Sequence, residues 1–390
     1  MTSVSIASTK PSLPANSNNY ARNSPLVEFA LRGLDRCWLD SESRWSHIYH
    51  LDGRPEPNES LPHSDVFYTL NVLLGMSRVL NVPAQYDLAT IYRRNARLLT
   101  RLPVRDYALG MALWTAAELD LDLDAEVALK VRKLLAARSA WSRFHAQDLG
   151  MLLIGVVAQA RNEPEAWGRL AAPLFEYLDS HFRGASGLFM DTPAGFRRRF
   201  ASFATQVYLS MACYHYGDYA DDERAIGMAS ACVRRLIALQ GPRGEWPWFY
   251  DAGSGRVLDA YEIYSVHQYG MAPALLEWAE RYDVTGARGA LIYGFEWVFG
   301  HNQLSRCMLR PETGLSIRSQ VRKGEVESKQ PRALRAIGNM LLGRSSGLID
   351  SSGVTLRLEC RSYELGWLLW SFARRDDLRQ LTDHPLFAAV

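Results

Sequence analysis

Lysine is nearly missing from this 390-residue chain: of 44 basic residues only Lys10, Lys130, Lys133, Lys323 and Lys329 are lysine. The net charge is only +2. No whole-molecule field therefore recruits nucleic acid or an anionic membrane, and neither is expected as a partner. Cysteine is scarce and unpatterned. Cys37, Cys213, Cys232, Cys307 and Cys360 form no CxxC and no Cys/His ligand spacing, which excludes a disulfide framework and a structural zinc site. Long apolar runs are missing too; the longest, around Leu149–Val157, is too short to span a bilayer, so no integral membrane segment is expected. Residues 1–23 are rich in Ser, Asn, Thr and Pro and lack the apolar core of a signal peptide. They read as a disordered leader, and the expected location is cytoplasmic. There is no P-loop, no GxSxG elbow, no HExxH and no dinucleotide-binding glycine fingerprint, so no cofactor is expected. His47 and His50 lie beside Asp52 without a third clear ligand, and no metal is expected.

What is present is a repeat. Six segments carry small residues and aromatics at helical spacing after a polar or glycine-rich loop. They begin near Ser64, Arg105, His145, Ala201, Tyr261 and Arg361. Each is apolar around most of its circumference, which suits a helix buried on several sides. Gly75, Gly110, Gly150, Gly270 and Gly366 sit inside them; close packing would offset the roughly 1 kcal/mol that glycine costs in a helix. Six amphipathic helices alternate with them, over about 25–38, 84–98, 125–136, 164–181, 221–240 and 284–299. The fold class expected is all-α, an (α/α)6 toroid of six helical hairpins over residues 24–390, with a less regular helical solenoid as the rival. Loops running from outer to inner helix share one end of such a barrel. The first, fourth, fifth and sixth are long, the last (300–360) predicted to be a basic insertion over the barrel mouth. Long loops gathered at one end point to function there.

The densest chemistry lies in QGPRGEWPWFYDAGSGRVLDAYEIYSVHQYGMAP, residues 240–273. Glu245, Asp251, Asp259, Glu262, Tyr264 and His267 are the catalytic candidates, since carboxylate, imidazole and phenol groups move protons. Trp246, Trp248 and Tyr250 offer flat faces for sugar rings or hydrocarbon. Tyr264 and His267, three apart, are predicted to share a helix face that Tyr261 and Gln268 extend. The bland reading is a turn at Gly244–Trp246 with Trp246 capping the core. Between His301 and Arg361 eleven basic residues face five acidic ones, which suits a glycan or other small anionic ligand; a solvated insertion or a subunit interface fits as well. Arg357, Glu359, Arg361 and Tyr363 approach the last inner helix as substrate-binding candidates, although Glu359 and Arg361 also read as an ion pair. Asp65 and Asp148 join that set as possible carboxylate partners for Glu245 or Glu262, because inverting glycosidases need two such groups. Helix capping explains both equally.

Two short resemblances follow from these residues. Gln240, Gly244 and Trp246 resemble the QW-type repeat of squalene and terpene cyclases, which are also α/α toroids; their DxDD motif is absent here. The run YDAGSGRVLDAYEIYSVHQYGMAPALLEWAERYD, from Tyr250, resembles a segment of the C-terminal helical domain of glucuronyl C5-epimerases. That likeness marks Tyr250, Asp251, Asp259 and His267 and implies proton removal and return at a uronic acid; the family's β-sheet portion has no counterpart. The leading expectation is a carbohydrate-active enzyme (hydrolase, lyase or epimerase) in glycan biosynthesis or processing. A non-catalytic binding or assembly toroid and an isoprenoid cyclase are the alternatives, and a homo-oligomer remains open.

Overall fold

The computed structural model describes residues 22–326 and 330–387, so the leader up to residue 21 lies outside it. Six outer helices alternate with six inner ones. The outer set is α1 (Pro25–Cys37), α3 (Leu88–Ala96), α5 (Ala125–Ala136), α7 (Arg169–Phe182), α9 (Glu223–Leu239) and α11 (Ala287–Phe299). The inner set is α2 (Pro62–Met76), α4 (Asp106–Glu118), α6 (Ala146–Asn162), α8 (Phe203–Ala220), α10 (Ala272–Arg281) and α13 (Ser362–Phe372). Consecutive inner helices touch, and α13 returns to α2, closing the ring of an (α/α)6 toroid.

The two sets differ as their sequences require. Outer α5 buries only Val127, Val131 and Leu135, one stripe at four-residue spacing. Inner α6 buries every residue from Asp148 to Ala160, because neighbours surround it. The ring closes through glycine. A β-carbon on Gly75 would overlap the carbonyl of Gly366 on α13, and one on Gly155 would overlap the carbonyl of Gly110 on α4. Gly150 lies against Tyr208 and Gly270 against Trp367 in the same manner. The glycines that weaken each helix locally are the points at which helix backbones meet.

All inner helices point their N-termini at the mouth, where the long loops are stitched together by three small antiparallel sheets. Ile48–His50 of the first loop lies between its own Asn58–Glu59 and Glu359–Cys360 of the sixth. Ser319–Arg322 of the sixth pairs with Val354–Arg357 and with Ile263–Tyr264 of the fifth. Phe249–Asp251 of the fifth pairs with Arg256–Asp259 and with Phe200–Ser202 of the fourth. The sixth loop is therefore a folded insertion. It also carries a helix, α12 (Gln330–Leu341), laid over the mouth.

Gly110→Ala drives a methyl group into the backbone of Met151 and is expected to lower stability by ~1–3 kcal/mol. Gly227→Ala, in the open on α9, is expected to be neutral or to stabilise by roughly 0.4–1 kcal/mol. Chemical denaturation of the two variants side by side checks both expectations.

Candidate functional site

Loops one, six, five and four, four of the six outer-to-inner connections, wall the mouth. The second and third connections are short, so the wall stops over α4 and α6, beside the fourth loop that leads into α8. There a cleft of about 190 Å³ opens, lined by Arg105, Tyr107, His145, Asp148, Asp191, Arg197, Thr205 and Tyr208 among others.

The fifth-hairpin candidates lie elsewhere, and most are tied up. Glu262 is buried and holds four partners. Arg357 Nε donates to it at 2.9 Å, Arg332 Nη1 at 3.1 Å and Tyr264 Oη at 3.0 Å, and the Ser319 hydroxyl also donates. Despite burial, the surrounding arginines Arg318, Arg357 and Arg332, with the Ser319 hydroxyl, hold its carboxyl below the usual range. Asp259 takes a two-pronged bond from Arg322 at 2.6 and 3.0 Å and a third from Arg335 at 3.1 Å. Asp251 accepts from Arg199, Ser254 and the Gly253 amide, closing the hairpin turn. Glu245 folds back onto the Arg243 amide at 2.9 Å, and burial raises its pKa. Trp246 is buried against Phe203, ring centroids 5.4 Å apart, and Tyr250 is fully buried. Gln240 bonds the carbonyls of Gly244 and Ala290, so the QW-like stretch clasps α11 to its neighbouring turn.

The helix face predicted for Tyr264 and His267 is corrected. Tyr264 lies in the strand paired with Ser319, and the helix begins only at Ser265, passing through a π-turn over His267–Met271. Their rings still meet, with centroids 5.2 Å apart, because the strand delivers Tyr264 to the helix start. Tyr261 and Gln268 are fully buried. His267 is stacked on half-buried Trp248, its Nδ1 lacks a partner, and burial lowers its pKa to about 3. The imidazole is therefore neutral across the physiological range.

Six of the insertion's eleven basic residues are ion-paired, largely to carboxylates of the fifth hairpin and of α13, which corrects the expectation of an anion-binding surface there. Arg318, Arg322, Arg332, Arg335, Arg357 and Arg361 are paired with Asp259, Glu262, Glu325, Glu359 or Glu364. Helix α12 contributes Arg332 and Arg335, and its Asn339 donates to the Leu258 carbonyl at 2.9 Å. Arg361 also donates to the Tyr68 hydroxyl at 3.1 Å, and Tyr363 packs on Tyr68 at 4.5 Å, so the N-terminal halves of α2 and α13 share an aromatic surface. His47 stacks on the same Tyr68. Among the described residues no group of three or more His, Cys, Asp or Glu could hold a metal ion. No described helix is long and apolar enough to cross a membrane.

Asp65 and Asp148 serve helix starts. Asp65, fully buried, accepts from the Ser60 hydroxyl and the Leu61 amide. Asp148 accepts from the His145 amide at 3.0 Å and from the Tyr107 amide of the neighbouring helix at 3.2 Å. Of the two, only Asp148 lines the cleft. Of its other residues only Arg197, in the Arg197–Arg199 run, stands out in the sequence, as an addition to a positive rim. His145, with a third of its side chain exposed, places Nδ1 3.8 Å from Asp191, which in turn accepts from the Thr205 hydroxyl at 2.7 Å. Arg105 and Arg197 stand at the rim, and Tyr107 meets Phe67 edge-on at 4.6 Å. The signal available was positional: His145 and Tyr107 occupy starts of inner helices that follow short loops, where nothing covers them.

No protein-family profile matches the chain, and no curated sequence is similar to it. Solved structures do share its fold. Cellobiose 2-epimerase from Bacillus thermoamylovorans B4167 aligns over 90% of this chain and 99% of its own, at 11% identity and a TM-score of 0.62. A sugar epimerase from a ruminal bacterium aligns over 90% and 97%, at 8% identity and a TM-score of 0.61. Unsaturated glucuronyl hydrolase from Bacillus sp. GL1, responsible for the degradation of glycosaminoglycan, aligns over 92% and 96%, at 12% identity and a TM-score of 0.56. The chain thus has the (α/α)6 toroid fold of carbohydrate-active enzymes.

A stability effect follows from Glu364 beneath this network. Its Oε1 accepts from Arg318 at 2.6 Å while Oε2 has no partner, and burial raises its pKa to about 7. The folded chain therefore keeps this proton between the ordinary value of 4.5 and about 7, and the stabilisation it gives is lost as pH rises through about 7. The unfolding midpoint is expected to fall from about pH 5 to about pH 8, with a shallower fall in Glu364→Gln. Thermal melts across that range check it.

Proposed function

We propose that the chain is an enzyme acting by proton transfer on a sugar that carries an acidic group, bound in the cleft over α4, α6 and α8. The observation that carries this reading is the His145–Asp191–Thr205 arrangement. A partly exposed imidazole faces a carboxylate that is itself held by a hydroxyl, while Asp148 fixes the backbone of His145. An imidazole so oriented can take up or return a proton at a bound ligand. Arg105 and Arg197 suit the ligand's carboxylate, because guanidinium forks match its two oxygens. The N-termini of α4 and α6 add fixed positive partial charge on the same side. Tyr107 and Tyr208 supply ring faces. The cleft has room for about one sugar ring, and toroids of this fold include epimerases and a hydrolase of sugars. Epimerisation, elimination and hydrolysis all need such a proton carrier.

A second reading, a non-catalytic binding or assembly component, is favoured by one feature. Helix α12 turns Leu334 and Leu341, 69% and 70% exposed, away from the mouth at a seven-residue spacing, as a helix that meets a partner does. The cyclase reading has no such support, since Asp259 and Glu262 at the mouth are ion-paired.

The test is turnover and solvent-deuterium incorporation on neutral and uronate-containing oligosaccharides. His145→Ala and Asp191→Asn are expected to cut the rate by about 10²–10⁴-fold with the fold intact. Arg105→Ala is expected to raise KM for uronates alone. Loss confined to His267→Ala and Glu245→Gln would move the site to the fifth hairpin. Absence of turnover and exchange on every substrate would overturn the enzyme reading.

A further inference from the structure

The end of the barrel opposite the mouth, where a scaffold needs only short turns, holds a second cavity. It measures about 270 Å³ and opens between the last turns of α4, α6, α8 and α10, among His215, Trp278, Glu118, Arg161, Asp218 and Arg281. His215 is only 7% exposed, and its Nε2 has no hydrogen-bond partner. Its ring stands edge-on to Trp114 at 5.3 Å and tilts against Trp278 at 4.7 Å. A leucine or phenylalanine would fill this place without an unsatisfied nitrogen, so packing alone does not account for a histidine here. Burial lowers its pKa to about 3, which keeps the ring neutral, with one nitrogen to donate and one to accept.

The walls are set in advance. Half-buried Trp278 lies nearly parallel to Tyr214 and Tyr282, with interplanar angles of 8° and 9°, so its indole is a fixed flat surface. Around it are groups whose charges cancel, and the Arg281 guanidinium already lies 5.0 Å over one part of the indole. Arg161 donates to Asp218 at 2.6 Å, Arg281 lies 3.4 Å from the same carboxylate, and Tyr282 donates to it at 3.1 Å. Glu118 accepts from Trp114 through one oxygen, and no bond engages the other. A flat aromatic wall facing balanced donors and acceptors suits a ring with an apolar face and hydroxyls at its edge. It does not suit an ion.

We propose that this cavity is a second ligand site, separate from the mouth, that binds a single neutral sugar ring stacked on Trp278 and hydrogen-bonded to His215 and Glu118. At about 270 Å³ the cavity is large enough for a monosaccharide. The site needs no chemistry at the mouth, so it stands or falls independently of the enzymatic reading.

The test is saturation-transfer NMR and calorimetric titration of the full chain with D-glucose, D-galactose and D-mannose. At least one is expected to bind with single-site stoichiometry. Trp278→Ala and Glu118→Ala are each expected to weaken binding by about tenfold or more, whereas Arg105→Ala at the mouth leaves it unchanged. His215→Phe is expected to abolish binding and to raise the unfolding midpoint, because it removes a buried polar nitrogen; this variant separates loss of the site from loss of the fold. Glu118→Gln, which keeps an acceptor for the Trp114 indole while removing the charge, gives a further variant with little folding cost. Failure of all three sugars to bind overturns the proposal. Binding that persists in Trp278→Ala and His215→Phe but vanishes in Arg105→Ala also overturns it, by placing the sugar at the mouth.

Discussion

Inner helices can form a closed ring only if each approaches two neighbours closely enough to leave no hole along the axis. Six helices bearing large side chains on every face would stand too far apart, and the barrel would enclose a void. This chain resolves the conflict by placing glycine where backbones meet, at Gly75 against Gly366 and at Gly110 against Gly155. Tryptophans fill the wider intervals: Trp114, Trp367 and Trp370 pack together across the ring. The small residues set the spacing and the large ones take up the remainder. Once spacing is set, so is the circle of N-termini at the mouth, and the loops have fixed posts to span.

The character of the mouth follows from how those spans differ. Where loops are long they find one another, and each small sheet joins segments far apart in sequence, such as Cys360 with Tyr49. Short segments of two to four residues do not make stable sheets alone. Here they rest on buried ion pairs, with Asp259 and Glu262 as centres of charge that Arg322, Arg332, Arg335 and Arg357 approach from the insertion. Buried pairs add little net stability, because desolvation offsets attraction, yet losing either partner strands a charge. Their consequence is register: α12 can settle only where each guanidinium meets its carboxylate. The opening over α4 and α6 exists because the second and third connections are too short to join this weave.

How far the sequence disclosed all this depends on the range of the interaction. Helices are local, and their period is visible, so the outer helix expected at 125–136 is found over Ala125–Ala136. The glycine positions were legible for the same reason, since a glycine inside a strongly helical pattern asks for close packing. Tyr264 was misplaced because its partner, Ser319, lies 55 residues onward, and no local period encodes that pairing. The basic excess of residues 301–361 was counted correctly but misread, because its counter-charges Asp259 and Glu262 belong to another hairpin. The mouth cleft was missed for the opposite reason. Asp148 looked like a helix cap and is one, and its capping bonds drew notice away from His145 beside it.

The shortage of lysine acquires a physical meaning at this point. The cations buried at the mouth are arginines, and their geometry uses more than charge. Arg322 meets Asp259 with two nitrogens on two oxygens while its plane lies 4.5 Å over the Tyr261 ring. Arg318 binds Glu359 and Glu364 at once, over Tyr264. An ammonium group, compact and strongly hydrated, would lose more on burial and could not bridge two carboxylates while lying flat on a ring. Replacing these arginines with lysine would conserve the net charge and still unfasten the insertion. The mouth therefore depends on guanidinium geometry, just as the barrel beneath it depends on glycine, and in both cases the residue's shape decides.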